Sequence, residues 1–290
     1  MRAVYIHGCA VLAHNPQDDF ALIKQELEHT SGKKFRRINR FITLALASVY
    51  RLPALEKMDR DSSLYLGTHH GCASDSFGML RQMYCEQLIP LPFTFINTSA
   101  NMAGFYIGQS LGLAGESYTF SQPWGSFEKS FALAYRDIYS GRNRSALAGS
   151  CDEAIFPLED LRKSMSMGPD ELLLEGGCWI HLSSKAEGSF ATIRRASLTS
   201  SLVDIESAYM DLGLSDNTVL LIDPTVKRGS IRLDTQSTDA VWLSDDKERL
   251  IGSAGGKKLM TLLQDSLYKN VVYLCREGLS RYALWIIEKH

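Results

Sequence analysis

Apolar and polar positions alternate in Met1 to Cys9 (MRAVYIHGC), which predicts an opening strand. Helical spacing follows over Phe20 to His29 and Phe35 to Arg51. In the second of these, Ile38, Phe41, Ile42, Leu44, Ala45, Ala47, Ser48 and Val49 make a broad apolar face behind the basic start FRRINR. Ser63 to Thr68 (SLYLGT) is a short apolar run with the length of a buried strand, and Asn101 to Leu113 returns to helical spacing. Glu116 to Ser121 then predicts a strand, Gln122 to Ser126 a tight turn, Phe127 to Tyr139 a helix and Ser145 to Ala148 another strand. Beyond Pro169 the pattern restarts. Gly177–Leu182, Phe190–Ala196, Val219–Ile222, Asn270–Cys275 and Tyr282–Ile287 read as strands, Val203–Leu212 and Lys258–Tyr268 as helices. Strands alternating with helices predict an α/β core. The repetition predicts two related halves, 1–165 and a shortened 166–290, packed as one compact unit.

Composition narrows the class without naming a function. A chain of 290 residues, 45% of them hydrophobic, has enough apolar surface for a sizeable core. Its net charge of -2 gives no general attraction for nucleic acid or an acidic membrane. An N-terminal charged-then-apolar leader and any long apolar span are absent from the sequence, so a cytoplasmic location is expected. The six cysteines are scattered without a CxxC pair, which fits reduced thiols better than disulfides or structural zinc. No metal or cofactor is expected. GSAGG (252–256) with Lys257 and Lys258 lacks the glycine order of a phosphate-binding loop.

Several segments resemble the β-ketoacyl-ACP synthases. FRRINRFITLALAS (35–48) is similar to the start of an early helix in that family, and PLPFTFINTSANMAGFYIGQSLGLAGES (90–117) to the segment leading to its nucleophile strand. TFSQPWGSFEKSFALAYRDIYSGRNRSALAGSCDEA (119–154) resembles the nucleophile elbow, its helix and the next strand. LLEGGCWIHL (173–182) and LCREGLSRYALWII (274–287) resemble two later strands. The resemblance implies a thiolase-like αβαβα layered fold.

It also locates what is missing. Such enzymes need a cysteine nucleophile and two histidines. Counted back from Gly141, the nucleophile position falls on Trp124, and indole cannot attack a thioester. The histidines stand at 7, 14, 29, 69, 70, 181 and 290. PTVKRG follows the strand ending at Asp223, and SAGGKK follows Leu250-Ile251-Gly252, where the family's two histidines belong. The resemblance therefore implies a noncatalytic chain length factor, similar to the aryl polyene type. Such a subunit forms a heterodimer with an active ketosynthase and shapes the pocket for an acyl chain carried on acyl carrier protein.

In that frame Phe93, Thr94 and Phe95 fall where subunits reach across the dimer into the pocket, and Phe120, Ser121, Gln122 and Pro123 on the edge strand that pairs across it. Bulky groups there would limit chain length, since overfilling a packed cavity costs about 1–3 kcal/mol. Arg36, Arg37 and Arg40 are candidates for contact with an acidic carrier protein. The alternative is a stand-alone acyltransferase or thioester hydrolase. It would use Cys151 or Cys72 with His69 or His70 from GTHHGC, although neighbouring carboxylates Asp152 and Glu153 argue for an inert Cys151.

Overall fold

The computed structural model of the chain describes residues 2–123, 125–199, 217–224, 226, 239–276 and 282–290. Its first five strands are β1 (Val4–His14), β2 (Ser63–Thr68), β3 (Ser117–Ser121), β4 (Ser145–Asp152) and β5 (Leu172–Ser183). The next six are β6 (Ala191–Thr199), β7 (Thr218–Ile222), β8 (Asp239–Trp242), β9 (Glu248–Leu250), β10 (Asn270–Arg276) and β11 (Tyr282–Lys289). Ten of them run side by side in the order β3-β2-β4-β5-β1-β6-β11-β10-β7-β8, and β9 adds to the start of β5.

That order repeats itself. β3-β2-β4-β5-β1 and β8-β7-β10-β11-β6 have the same sequence of places, and matching pairs share direction. β2 runs parallel to β3 and β4, as β7 does to β8 and β10. β5 is antiparallel to β4 and β1, as β11 is to β10 and β6. The repeat in strand order divides after β5, between Ser183 and Ala191. The long β5 belongs to the first half because both its neighbours, β4 and β1, lie there.

Helices α1 (Phe20–Ser31), α2 (Arg40–Val49) and α5 (Asn101–Leu111) cover one face of the first half. α2 packs on Leu12, Leu147, Cys151 and Trp179 from the strands. On the other face, α6 (Ser126–Tyr139) and α8 (Ala254–Gln264) lie between the two halves. Phe127, Phe131, Leu259 and Met260 meet Tyr65, Ala148 and Ile180 on one side and Leu221, Tyr273 and Trp285 on the other. Alternation does the sorting: in β4, Ala146 and Ala148 face α6 while Leu147 faces α2. Helix, sheet, helix and sheet thus stack in layers, with Leu220, Ile222, Val272 and Leu274 on the outer face of the second half. The helix expected over 203–212 lies outside the described residues.

The predicted helix at Phe35 starts later, at Arg40, because Asn39 caps it by accepting the Ile42 N–H and Arg37 adopts a left-handed φ of 58°. Periodicity gave no sign of α3 (Ala73–Tyr84), α4 (Pro92–Asn97) or α7 (Leu158–Ser164). No described helix is long and apolar enough to cross a membrane.

Candidate functional site

β3 ends at Ser121, and after four intervening residues the chain enters α6 at Ser126. Gln122 holds this turn: its N–H donates to the Thr68 carbonyl at 2.9 Å and its Nε2 to the Gly125 carbonyl at 2.8 Å. Ser126 Oγ donates back to the Gln122 carbonyl at 3.1 Å. Gly125 takes a φ of 66°, which only glycine adopts without strain, and Gly67 leaves room for the Ser126 backbone against β2, where a Cβ would overlap it. The geometry is that of a strand-turn-helix elbow. Trp124, its central residue, lies outside the described residues.

Beside the elbow is a cleft of about 120 Å³ lined by His69, Pro123, Gly125, Glu128, Asp223, Pro224, Gly252 and Ser253, with Arg249 at its wall. Asp223 and Pro224 end β7, and Gly252 and Ser253 lead into α8. Both segments at which sequence comparison placed the missing histidines therefore face one cavity with the elbow.

Its polar groups are of another kind. Glu128, one turn into α6, is buried and accepts a hydrogen bond from Tyr273 Oη at 2.6 Å. Burial pushes its carboxyl up to about 7, partly opposed by the tyrosine, with the nearby Asp223 charge adding to the rise. Burial and the neighbouring His70 bring His69 down to about 4, so that ring is neutral at ordinary pH. Behind it, the buried Asp152 accepts the backbone N–H groups of His69 and His70 at 2.8 Å and the Thr68 hydroxyl. Glu153 accepts the Ser74 N–H at 3.1 Å, near the start of α3. These carboxylates hold the loop, and Asp152 and Glu153 are both pushed up to about 7 by burial.

The cysteines are packed. Cys151 is fully buried under α2, its thiol pushed well up by burial and the surrounding carboxylates. Cys72 donates to the Ser99 carbonyl at 3.6 Å, and burial pushes its thiol up to about 12. Neither is poised as a thiolate. Among the described residues no group of three or more His, Cys, Asp or Glu side chains is arranged to hold a metal ion.

The remaining sequence candidates separate into two places. Ser121 and Pro123 are exposed at the end of the edge strand, while Phe120 is half-buried against the α6 side of the core with Tyr118. Phe93, Thr94 and Phe95 lie on α4, the first two half-buried and Phe95 exposed at 66%. Arg37 lies over the Phe93 ring, 5.6 Å from its centroid, and Arg36 is exposed nearby in sequence. Arg40 does not join them. Its guanidinium turns inward to the buried Glu175, with Nε at 2.6 Å from the carboxylate, and it also donates to the Pro16 and Asp18 carbonyls. A guanidinium committed to a buried carboxylate is not available to a carrier protein.

Sequence reading missed an exposed apolar face. α3 has no buried residue, and Phe77, Leu80, Met83 and Tyr84 on it are exposed. Leu88, Ile89 and Leu91, in the segment joining α3 to α4, and Phe95 and Ile96 on α4 continue the apolar face.

No family model matches this chain, and no curated protein does. Solved structures do. The type II polyketide synthase complex AntDE:AntF, an acyl carrier protein with its ketosynthase, superposes with a TM-score of 0.71 at 12% identity over the full length of both chains. The ishigamide ketosynthase/chain length factor gives 0.70 at 13% identity over 99% of each chain. A β-ketoacyl synthase from Burkholderia phymatum STM815 gives 0.66 at 12% identity, again over both chains in full. Identity so low speaks to architecture. With the repeated strand order and the layered helices, it establishes that this chain has the thiolase-like fold of ketosynthases and chain length factors.

Proposed function

We propose that the chain is a noncatalytic ketosynthase-fold subunit, a chain length factor, that forms a heterodimer with an active ketosynthase and bounds the pocket receiving its growing acyl chain. The observation that carries this reading is the unfinished flank at β2. Among the described residues the sheet ends at β3, with no strand beside its outer edge, and α3 and α4, which follow β2, expose large apolar side chains. An open edge and an apolar patch are each aggregation liabilities, and one partner covering both removes them together.

The cleft supports the noncatalytic half of the reading. A cavity holding Glu128, Asp223 and His69 without a nucleophilic thiol has no means of forming an acyl-thioester intermediate with a cysteine. Phe93, Thr94 and Phe95 on α4, at the open flank, are the side chains assigned to the partner's pocket. Arg36 and Arg37 remain the carrier-protein contacts. The aryl polyene type is the product class this reading favours, from the sequence resemblance alone.

The test is co-purification. The tagged chain is expressed with and without its cognate ketosynthase, and the mass of the eluted species is measured by light scattering. A 1:1 complex, with aggregation of the chain alone, is expected. A stable homo-oligomer that ignores the ketosynthase overturns the reading.

A further inference from the structure

At the opposite end of the sheet from the elbow cleft, a second cavity of about 160 Å³ opens between the start of β4 and the end of β5. Ser145 opens β4 and Asp152 closes it, so this cavity lies roughly 23 Å from the carboxylate behind the elbow at the usual rise of a strand. Its walls include Ser145, His181, His7, Asp59 and Lys185.

The hydrogen bonds there have a direction. Ser62 Oγ donates to Ser145 Oγ at 2.8 Å, which leaves the Ser145 hydrogen to point at His181 Nε2, 3.0 Å away. His7 is aimed at the same place by a β-bulge between Ile6 and Gly8, donates to the Lys185 carbonyl at 2.9 Å and lies tilted against the His181 ring, the centroids 5.1 Å apart. Bulges recur where a strand must re-aim a functional side chain. Ala54, also in the wall, holds a left-handed φ of 55°, a strained conformation for a residue with a Cβ. Asp59 and Lys185 pair at 2.9 Å.

From this geometry we propose that Ser145 and His181 form a nucleophile and base that cleave short acyl esters, a site separate from the elbow cleft and independent of the partner reading. Ser145 Oγ attacks the acyl carbon and its proton passes to His181 Nε2. The ester C–O bond breaks and the leaving alcohol takes that proton. Water then attacks the acyl-serine, giving a proton to His181 that returns to Ser145 as the acid departs. The net reaction is ester plus water to acid plus alcohol, with no further reactant. A volume of about 160 Å³ has room for a short acyl group.

His181 is held down to about 4 by burial and by His7, with Asp59 partly opposing. The imidazole is thus neutral, and able to accept the serine proton, across all ordinary pH. The acid limb of the activity is expected near pH 4, in place of the 6.5 of a free histidine.

The test uses the full chain, alone or in its complex, with an alkyl fluorophosphonate, followed by intact mass and peptide mapping. One adduct on Ser145 is expected, its rate constant between pH 5 and 8. Labelling should fall at least tenfold in His181→Gln and vanish in Ser145→Ala, and p-nitrophenyl acetate hydrolysis should fall with it. An unlabelled Ser145 in the folded wild-type chain overturns the proposal, as does an adduct rate unchanged in His181→Gln. Should Ser145→Ala fail to fold, the mapped wild-type adduct and the His181→Gln rate decide.

Discussion

Helices α2 and α3 both lie in the first half, and they have opposite fates. Every residue of α2 from Phe41 to Val49 is buried, under α1 and α5 and against the strands. α3 buries none, although it carries Phe77, Leu80, Met83 and Tyr84. α2 is held by apolar burial, worth ~25 cal/mol for each Å² removed from water. α3 hangs on its first turn, where Glu153 accepts the Ser74 N–H and Asn39 bonds Asp75. Among the described residues nothing covers the apolar face of α3. Under the proposed function, the contrast separates what the chain needs in order to fold from what it carries for another molecule.

The largest expected effect is a way to break the contrast from the α2 side. Phe41→Ala should destabilise the fold by about 3–5 kcal/mol, as loss of a buried aromatic does, while Phe77→Ala should stay within ~0.5 kcal/mol. Chemical denaturation of the two variants checks this directly. Equal losses would mean that α3 is core after all.

The next effect sharpens the α3 side. Phe77→Asp with Tyr84→Asp should leave the chain folded and more soluble while weakening ketosynthase binding at least a hundredfold, since charges in an apolar interface are left unpaired. Titration calorimetry reads the affinity. Thr119→Pro on the edge strand should weaken binding by a smaller factor, about tenfold, because it removes one main-chain donor from the β3 edge.

A third variant addresses the elbow cleft, which α6 shares between the halves. Glu128 has a folded carboxyl raised to about 7 from 4.5, so the folded state holds a proton that the unfolded chain releases. Its stabilising share is complete below pH 4.5 and is lost as the pH rises through about 7. Glu128→Gln imitates the protonated form. Melting of the complex should be unchanged at pH 5 and raised at pH 8, by roughly 1–3 kcal/mol of stability. No pH dependence would place the carboxyl in water.

The smallest effect belongs to α4. Phe95→Ala should leave stability and pairing nearly unchanged and lengthen the product by a chain unit or two, as product mass spectrometry would show. An unaltered product distribution would place Phe95 away from the pocket.

The same contrast explains what was legible in the sequence. β1, β2, β4 and α2 announce themselves because their apolar spacing matches the core they enter. The elbow was readable from the turn residues between two periodic segments, and the places without histidines from the chain beyond Asp223 and Gly252. α3 was not, because its apolar residues pack into the core beside no described element. Arg40 looked like a surface cation because its partner Glu175 is 135 residues away. Glu128 drew no notice for the same reason, since its partner Tyr273 comes 145 residues later. The strand repeat was not legible, because the place of β5 beside β1 follows from a pairing across more than 150 residues of chain.

The central claim is that another protein covers the α3–α4 face and the β3 edge, and hydrogen–deuterium exchange of the chain with and without its cognate ketosynthase tests it most directly. The account predicts that amides in 73–97 and 117–121 exchange rapidly in the isolated chain and become protected in the complex. Protection confined to the other sheet edge at β8, or unchanged exchange over 73–97, would contradict it.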